Sequence, residues 1–402
     1  MTSTEAQPEN DGLTQLSSVL NKLAGRGLTI GEAEDQRKQL STLSANFKGA
    51  SVPAAEKLAE VLPKMTDYGA RWIAARMLRD FGLKNETEGA FALKAICDVL
   101  ETEKSAGARY MFCNLLRDLG LAHEGLALTA ATAVAETVER EKDSEALMSQ
   151  KAALKELALK YEAASHVAVA GLSAAQQNST DPYARILLSS DLRDIALKHP
   201  VQSCTVIAVI TDAAQARQDS WVTQHATRHI APIALQFPGS LLMAATMQAA
   251  AAGVARAEKL ETVFAWSNLL GELSKADPML GLIALKNGLR NPVVMAHKDK
   301  RRAYICNLSA LAEAGTAEAG VCSGMLLDIL KQEPDAHQRR LAIKGLMACV
   351  HNKINPKAVK QGLKDLQLQE KDPETRETLA RALRSLGYIR PVQNLVPVAL
   401  TA

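Results

Sequence analysis

The block GARWIAARMLRDFGL at residues 69–83 is followed by GARYMFCNLLRDLGL at 107–121, an offset of 38 residues. The register continues with EALMSQKAALKELAL from 145, YARILLSSDLRDIAL from 183 and WVTQHATRHIAPIAL from 221. A period of this length constrains the fold more than any composition can, because one unit cannot bury its apolar face without a neighbour stacked on it. With each block numbered from 1 to 15, position 10 reads Leu78, Leu116, Leu154, Leu192, Ile230, and position 13 reads Phe81, Leu119, Leu157, Ile195, Ile233. Position 2 is Ala70, Ala108, Ala146, Ala184, Val222, and position 14 is always small: Gly82, Gly120, Ala158, Ala196, Ala234. Positions 2, 6, 10 and 13 share one face of an α-helix, so they predict its buried stripe. A small residue at position 14 lets a neighbouring helix come close.

Second helices are expected between these first ones, near 88–103, 124–142, 200–218 and 238–259, with Pro200, Pro238, Pro278 and Pro356 in first turns. Asp277 and Asn355 precede two of these prolines as N-caps, and Asp181 and Asp372 do the same for first helices. Beyond residue 240 the spacing loosens, with first helices expected near 301–314, 337–350 and 375–386, about nine in all. Residues 1–12 read as a disordered tail. Residues 13–66 read as an N-terminal helical cap: Leu13, Leu16, Leu20 and Leu23 make one stripe, and Thr29 with Glu32 a capping box. Residues 67–402 form the repeat body.

Composition narrows the function classes. Hydrophobic residues make up 47% and aromatic ones 4%, with alanine prominent, which favours close-packed helices. A net charge of +3 is too balanced to demand a polyanionic partner. The six cysteines fall singly, as reduced core thiols of a cytoplasmic protein do. The polar N-terminus leaves export through a specialised bacterial secretion system as the alternative. The apolar stretch 241–255 is too short to span a bilayer, so no membrane insertion is expected.

The stretch DPETRETLARALRSLG at 372–387, and DPYARILLSSDLRDIAL at 181–197, resemble HEAT-like repeats of the HEAT/armadillo α-solenoid superfamily. Each has an Asp-Pro turn, an early arginine and alternating alanines and leucines. The resemblance covers roughly 67–400 and implies an all-α, right-handed solenoid of helix pairs whose second helices present the ligand surface. Such folds serve as carriers, phosphatase scaffolds, chromophore lyases and a few DNA glycosylases, so the fold alone selects no activity. The expectation is a non-catalytic protein-binding scaffold or adaptor, not an enzyme, with no cofactor. The alternatives are a nucleic-acid-binding protein with a DNA glycosylase-like surface and a chromophore lyase.

Position 11 carries Arg79, Arg117, Lys155, Arg193 and position 12 carries Asp80, Asp118, Glu156, Asp194. In a stack each base can bridge to an acid on the next repeat, which orients repeats and adds little binding. Arg71, Arg109 and Arg185 share position 3. With Arg117 they define the candidate partner-binding set Arg71, Arg109, Arg117, Arg185, since arginine is favoured at interfaces. His225 and His229 have metal-ligand spacing but no third ligand nearby, so no metal site is expected. Gly25, Gly27 and Gly31 follow no strand and read as a turn. The run Lys298, Lys300, Arg301, Arg302 reads as a solvated loop that nucleic acid could also contact. No catalytic constellation is found, and Trp72, Trp221 and Trp266 share no motif.

Overall fold

The computed structural model describes residues 51–216 and 219–388, with isolated helical positions between 14 and 42. The expected tail at 1–12, the capping box opening at Thr29, the three glycines and residues 391–402 lie outside the described residues. Among the described residues every regular element is helical, and the contacts divide the chain into two compact units, 1–209 and 210–402.

The first unit runs α1 (Ser51–Val61), α2 (Tyr68–Gly82), α3 (Glu86–Thr102), α4 (Ala106–Ala122), α5 (Glu124–Arg140), α6 (Ser144–Lys160), α7 (Glu162–Asn178) and α8 (Pro182–Lys198). The helix α9 (Ser203–Ala216) carries the chain across the division. The first helices α2, α4, α6 and α8 stack on one another, as do the second helices α3, α5 and α7, and α1 packs on α2 and α3. This is the stack of helix pairs that defines an α-solenoid.

Each first helix starts the same way. The side chains of Asp67, Ser105, Asp143 and Asp181 accept the backbone N–H of Ala70, Ala108, Ala146 and Ala184 at 2.7, 3.4, 2.8 and 3.2 Å. Position 10 is 0% exposed in all four helices. The small position is set by approach distance: a Cβ on Gly120 would stand 2.7 Å from Leu157 Cδ2 and 3.0 Å from Ala130 Cβ. The charged ladder bridges successive first helices, through Arg79 to Asp118 at 3.1 Å, Arg117 to Glu156 at 3.5 Å and Lys155 to Asp194 at 2.5 Å. His123 and His199 hydrogen-bond through Nε2 to the Gly82 and Ala158 carbonyls at 2.6 and 2.7 Å, occupying helix C-terminal acceptors one repeat back.

The second unit contains α10 (Ser220–Ala234), α11 (Leu241–Arg256), α12 (Leu260–Ala276), α13 (Pro278–Leu289), α14 (Pro292–Ala296), α15 (Lys298–Glu313), α16 (Ala319–Gln332), α17 (Ala336–His351), α18 (Pro356–Gln369) and α19 (Pro373–Ser385). The helices α10, α12, α15, α17 and α19 stack in sequence, with second helices alongside.

Three local expectations change here. Pro238 lies in a turn before Ser240, whose hydroxyl caps α11 by accepting Met243 N–H at 3.1 Å. The left-handed Gly239, at φ 71°, turns the chain between them. Asn355 does not cap α18 through its side chain: it is left-handed at φ 46°, and its Nδ2 donates to Gly320 O at 3.3 Å. The basic run begins α15 instead of forming a loop, because Asp299 in the first turn and the absence of Gly or Pro favour helix.

Candidate functional site

The candidate arginines fall in three settings. At position 3, Arg109 donates from Nε and Nη2 to Glu141 at 2.9 and 2.6 Å, and from Nη1 to the Lys104 carbonyl at 2.7 Å. Glu141 also accepts the N–H of Asp143, the cap of the next first helix, at 3.0 Å. One side-chain pair therefore fastens a first helix to the turn that starts its successor. Arg71 forms an ion pair with Glu103 at 3.0 Å, and Glu103 accepts the N–H of the cap Ser105 at 2.8 Å. Arg117, by contrast, belongs to the ladder, paired with Asp118 at 2.8 Å and with Glu156. Arg185 is only 4% exposed. It is also separated from Arg109 by α6, where Leu147 holds the equivalent position.

Burial raises the Glu141 carboxyl, but hydrogen bonds from Arg109, the Asp143 N–H and Gln150 outweigh it and hold the group below its ordinary value. The hydrogen bond to Glu141 raises Arg109 in turn. The same clasp recurs in the second unit, where Arg301 holds Glu333 at 2.8 and 3.1 Å and Arg339 holds Glu370 at 2.8 Å twice. Sequence reading noted only the arginines. The signal it missed is a glutamate about one repeat later, two residues before the next cap: Glu103, Glu141, Glu333 and Glu370.

The basic run is committed internally as well. Lys298 pairs with Asp335 at 2.7 Å, and the Arg302 guanidinium lies 5.8 Å over the Phe264 ring. Lys300, 7% exposed, occupies the position alanine holds in the first helices of the first unit and donates to the Ala255 carbonyl at 2.5 Å; burial lowers its pKa. The His225 and His229 rings lie 6.3 Å apart, and no cluster of three metal-ligating side chains occurs among the described residues.

A groove opens between the second helices α13 and α16. Asp277 caps α13 by accepting Leu280 N–H at 3.0 Å, and Asn291 caps the short α14 by accepting Val293 N–H at 2.9 Å. That extra turn brings Met295 to the groove wall, where its carbonyl accepts Arg301 Nη1 at 2.6 Å. Leu289 and Arg290 of the α13 end face Met325, Asp328 and Ile329, an i, i+3, i+4 stripe on α16. The groove has a volume of about 370 Å³, with Leu289, Met295, Ile305, Met325, Ile329 and Pro334 as its apolar lining. Lys286 and Arg290 lie on one side, Asp328 and Gln332 on the other, and the Arg301–Glu333 pair also lines the groove. Unbranched methionines let such a wall adapt to an incoming side chain.

The first-helix ladder does not continue into the second unit. Positions 11 and 12 hold Ala231 and Pro232 in α10, and Met347 and Ala348 in α17. Crevices stay open where these bridges are missing. One, between α10 and α12, is lined by Gln224, Arg228, Glu261, Asn268 and Glu272 around Phe264, with a volume of about 350 Å³. Another lies between α17 and α19.

No family model and no curated protein matches the chain. Among solved structures it is similar to a homology model of the full-length AP-3 complex in an intermediate open conformation, at TM-score 0.32 and 11% identity over 95% of this chain and 83% of that one. It is also similar to yeast importin-beta (Kap95p), at TM-score 0.39 and 14% identity over 92% of this chain and 57% of that one. Kap121p bound to Pho4p gives TM-score 0.35 and 12% identity over 95% of this chain and 46% of that one. The chain thus spans little more than half of yeast importin-beta and under half of Kap121p. Similarity at this level fixes neither partner nor activity.

Proposed function

We propose that the chain is a non-catalytic protein-binding scaffold whose partner inserts apolar side chains between α13 and α16. The observation that carries this reading is the groove itself: two methionines and four other apolar residues line it, beside the paired Arg301 and Glu333 and the charges of Lys286, Arg290 and Asp328. Protein interfaces combine apolar contacts with polar ones in this way, and methionine and arginine are enriched in them. Lys286 and Arg290 favour an acidic residue on the partner at the α13 side. On the same reading residues 13–66 cap the stack and 67–402 form its body, with 1–12 a tail ahead of them. No helix among the described residues is long and apolar enough to cross a membrane. The six cysteines are all free thiols, which supports a reducing, cytoplasmic setting.

The test is a peptide library displayed on phage and selected against the purified chain. Enriched peptides should combine apolar anchors with acidic residues. They should fail to bind a Met325→Asp/Ile329→Asp variant of unchanged circular dichroism. Enriched peptides that bind this variant as well as wild type would remove the groove as the binding surface.

Partner contact through Arg71, Arg109, Arg117 and Arg185 is the other proposal for this chain. The ion pairs of the first three and the burial of the fourth support a structural role instead. A quadruple alanine variant separates the two: contact predicts lost peptide binding at an unchanged melting temperature, structure a lowered melting temperature.

A further inference from the structure

The crevice between α17 and α19 combines leftover space with leftover charge. In the first unit the equivalent space is crossed by ladder pairs such as Arg79–Asp118 and Lys155–Asp194. Here the residues standing where a ladder pair would meet are Met347 and Ser385, and the space remains open, about 710 Å³. Its walls carry Arg340 and Lys344 from α17 and Arg381 from α19, with His337 and His351 at the two ends of the α17 stripe. Leu341, Met347, Ala348 and Ala382 contribute an apolar floor, and Thr378 and Ser385 contribute hydroxyls.

The single acid in the lining is Glu374, held by Arg340 at 3.2 Å. Arg340 also reaches Asp372 at 3.3 Å, so it is largely satisfied. Lys344 is exposed, and no carboxylate among the described residues pairs with it. Arg381 keeps 66% of its side chain in solvent, and its nearest carboxylate, Glu377, stands 3.7 Å away. Two cations therefore face solvent across an apolar strip with little to neutralise them.

We propose that this crevice binds an acidic, extended segment of a partner protein in which carboxylates alternate with apolar side chains. The spacing supports it. The α17 stripe from His337 to His351 runs roughly 21 Å at ~1.5 Å per residue, room for about six extended residues at ~3.3 Å each. Alternate residues of an extended chain point the same way, which sends carboxylates to the cations and apolar groups to the floor. A single-stranded nucleic acid would offer similarly spaced charges, but it is held by base stacking on aromatic rings, and no Trp, Tyr or Phe lines the crevice. This site is separate from the α13–α16 groove and stands or falls independently of it.

The experiment uses the full chain and a fluorescein-labelled heptapeptide of alternating glutamate and leucine, followed by anisotropy. Three comparators are a peptide with glutamine for glutamate, a labelled oligothymidylate, and the variant Lys344→Glu/Arg381→Glu. A charge-matched control variant, Lys84→Glu/Lys94→Glu, lies on exposed residues of the first unit. The acidic peptide should bind, the glutamine peptide should not, and affinity should fall tenfold or more in the first variant while the control stays within twofold. Both altered side chains are solvent-facing, so circular dichroism and melting should match wild type. No binding of the acidic peptide, equal binding by both variants, or preferential capture of the oligothymidylate with the same sensitivity would each overturn the proposal.

Discussion

Arg109 and Glu141 show how one residue pair does two jobs. The carboxylate joins a first helix to the cap of the next, and its side chain is 0% exposed while the arginine's is 17% exposed. Truncating Arg109 leaves that carboxylate without its main partner, so Arg109→Ala should destabilise by about 1–3 kcal/mol. Arg117 sits in the more open ladder, with 26% exposure and a partner at 51%, and Arg117→Ala should cost under about 1 kcal/mol. Urea titration of both variants checks the ordering; equal losses would mean that the clasp adds nothing to an ordinary surface pair. The clasp also predicts the acid limb of stability. Glu141 titrates below its ordinary value in the folded chain, so its contribution is complete above about pH 4.5 and is lost as pH falls through the folded value. Glu141→Gln should therefore lose less stability than wild type over that window, measured as unfolding free energy between neutral and acid pH.

At the scale of elements, helix contacts are decided by what fits at a few close approaches. A leucine at Gly120 would drive into Leu157 and into α5 at Ala127 and Ala130, whose Cα and Cβ stand 3.3 and 3.0 Å from the new Cβ. Gly120→Leu should cost about 1–3 kcal/mol through overpacking. Gly324, mid-way along α16, has nothing within 4 Å of a built Cβ. There Gly324→Ala should stabilise by about 0.5–1 kcal/mol, because alanine is the better helix former and nothing opposes it. Thermal melts of the two variants should shift in opposite directions. Loss of stability at both would mean that α16 lies against an additional surface in solution.

At the scale of the whole molecule, the six thiols offer one readout. Burial pushes Cys97, Cys113 and Cys322 up to about 12 and Cys349 up to about 11, whereas Cys204 and Cys306 are exposed. Ellman's reagent should titrate at most these two quickly in the native protein and the rest only on unfolding; rapid reaction of all six would contradict the packing. Much of this packing was legible in the sequence. The buried stripe and small position of the aligned blocks follow from helical spacing alone, and so did the ladder, whose acid and base sit side by side in the first four blocks. The clasp was not legible, because its glutamate lies about one repeat away and outside the aligned block. The basic run misled for a related reason: charge density suggested solvent, yet Lys300 and Arg301 reach partners at Ala255 and Glu333. The crevices were hidden most deeply, since they exist where ladder residues are missing, and an absence shows only against a pattern already established.

The contacts that join successive first helices of the first unit run between equivalent positions, and this makes length an editable property. Removing residues 106–143 would bring Arg79 to Glu156 in place of Asp118. It would likewise bring the small Gly82 to Leu157 in place of Leu119. Both substitutions are like for like, so recombination in steps of one block can lengthen or shorten this part of the chain without a new packing solution, while an insertion of a single residue inside a helix would rotate every contact beyond it out of phase.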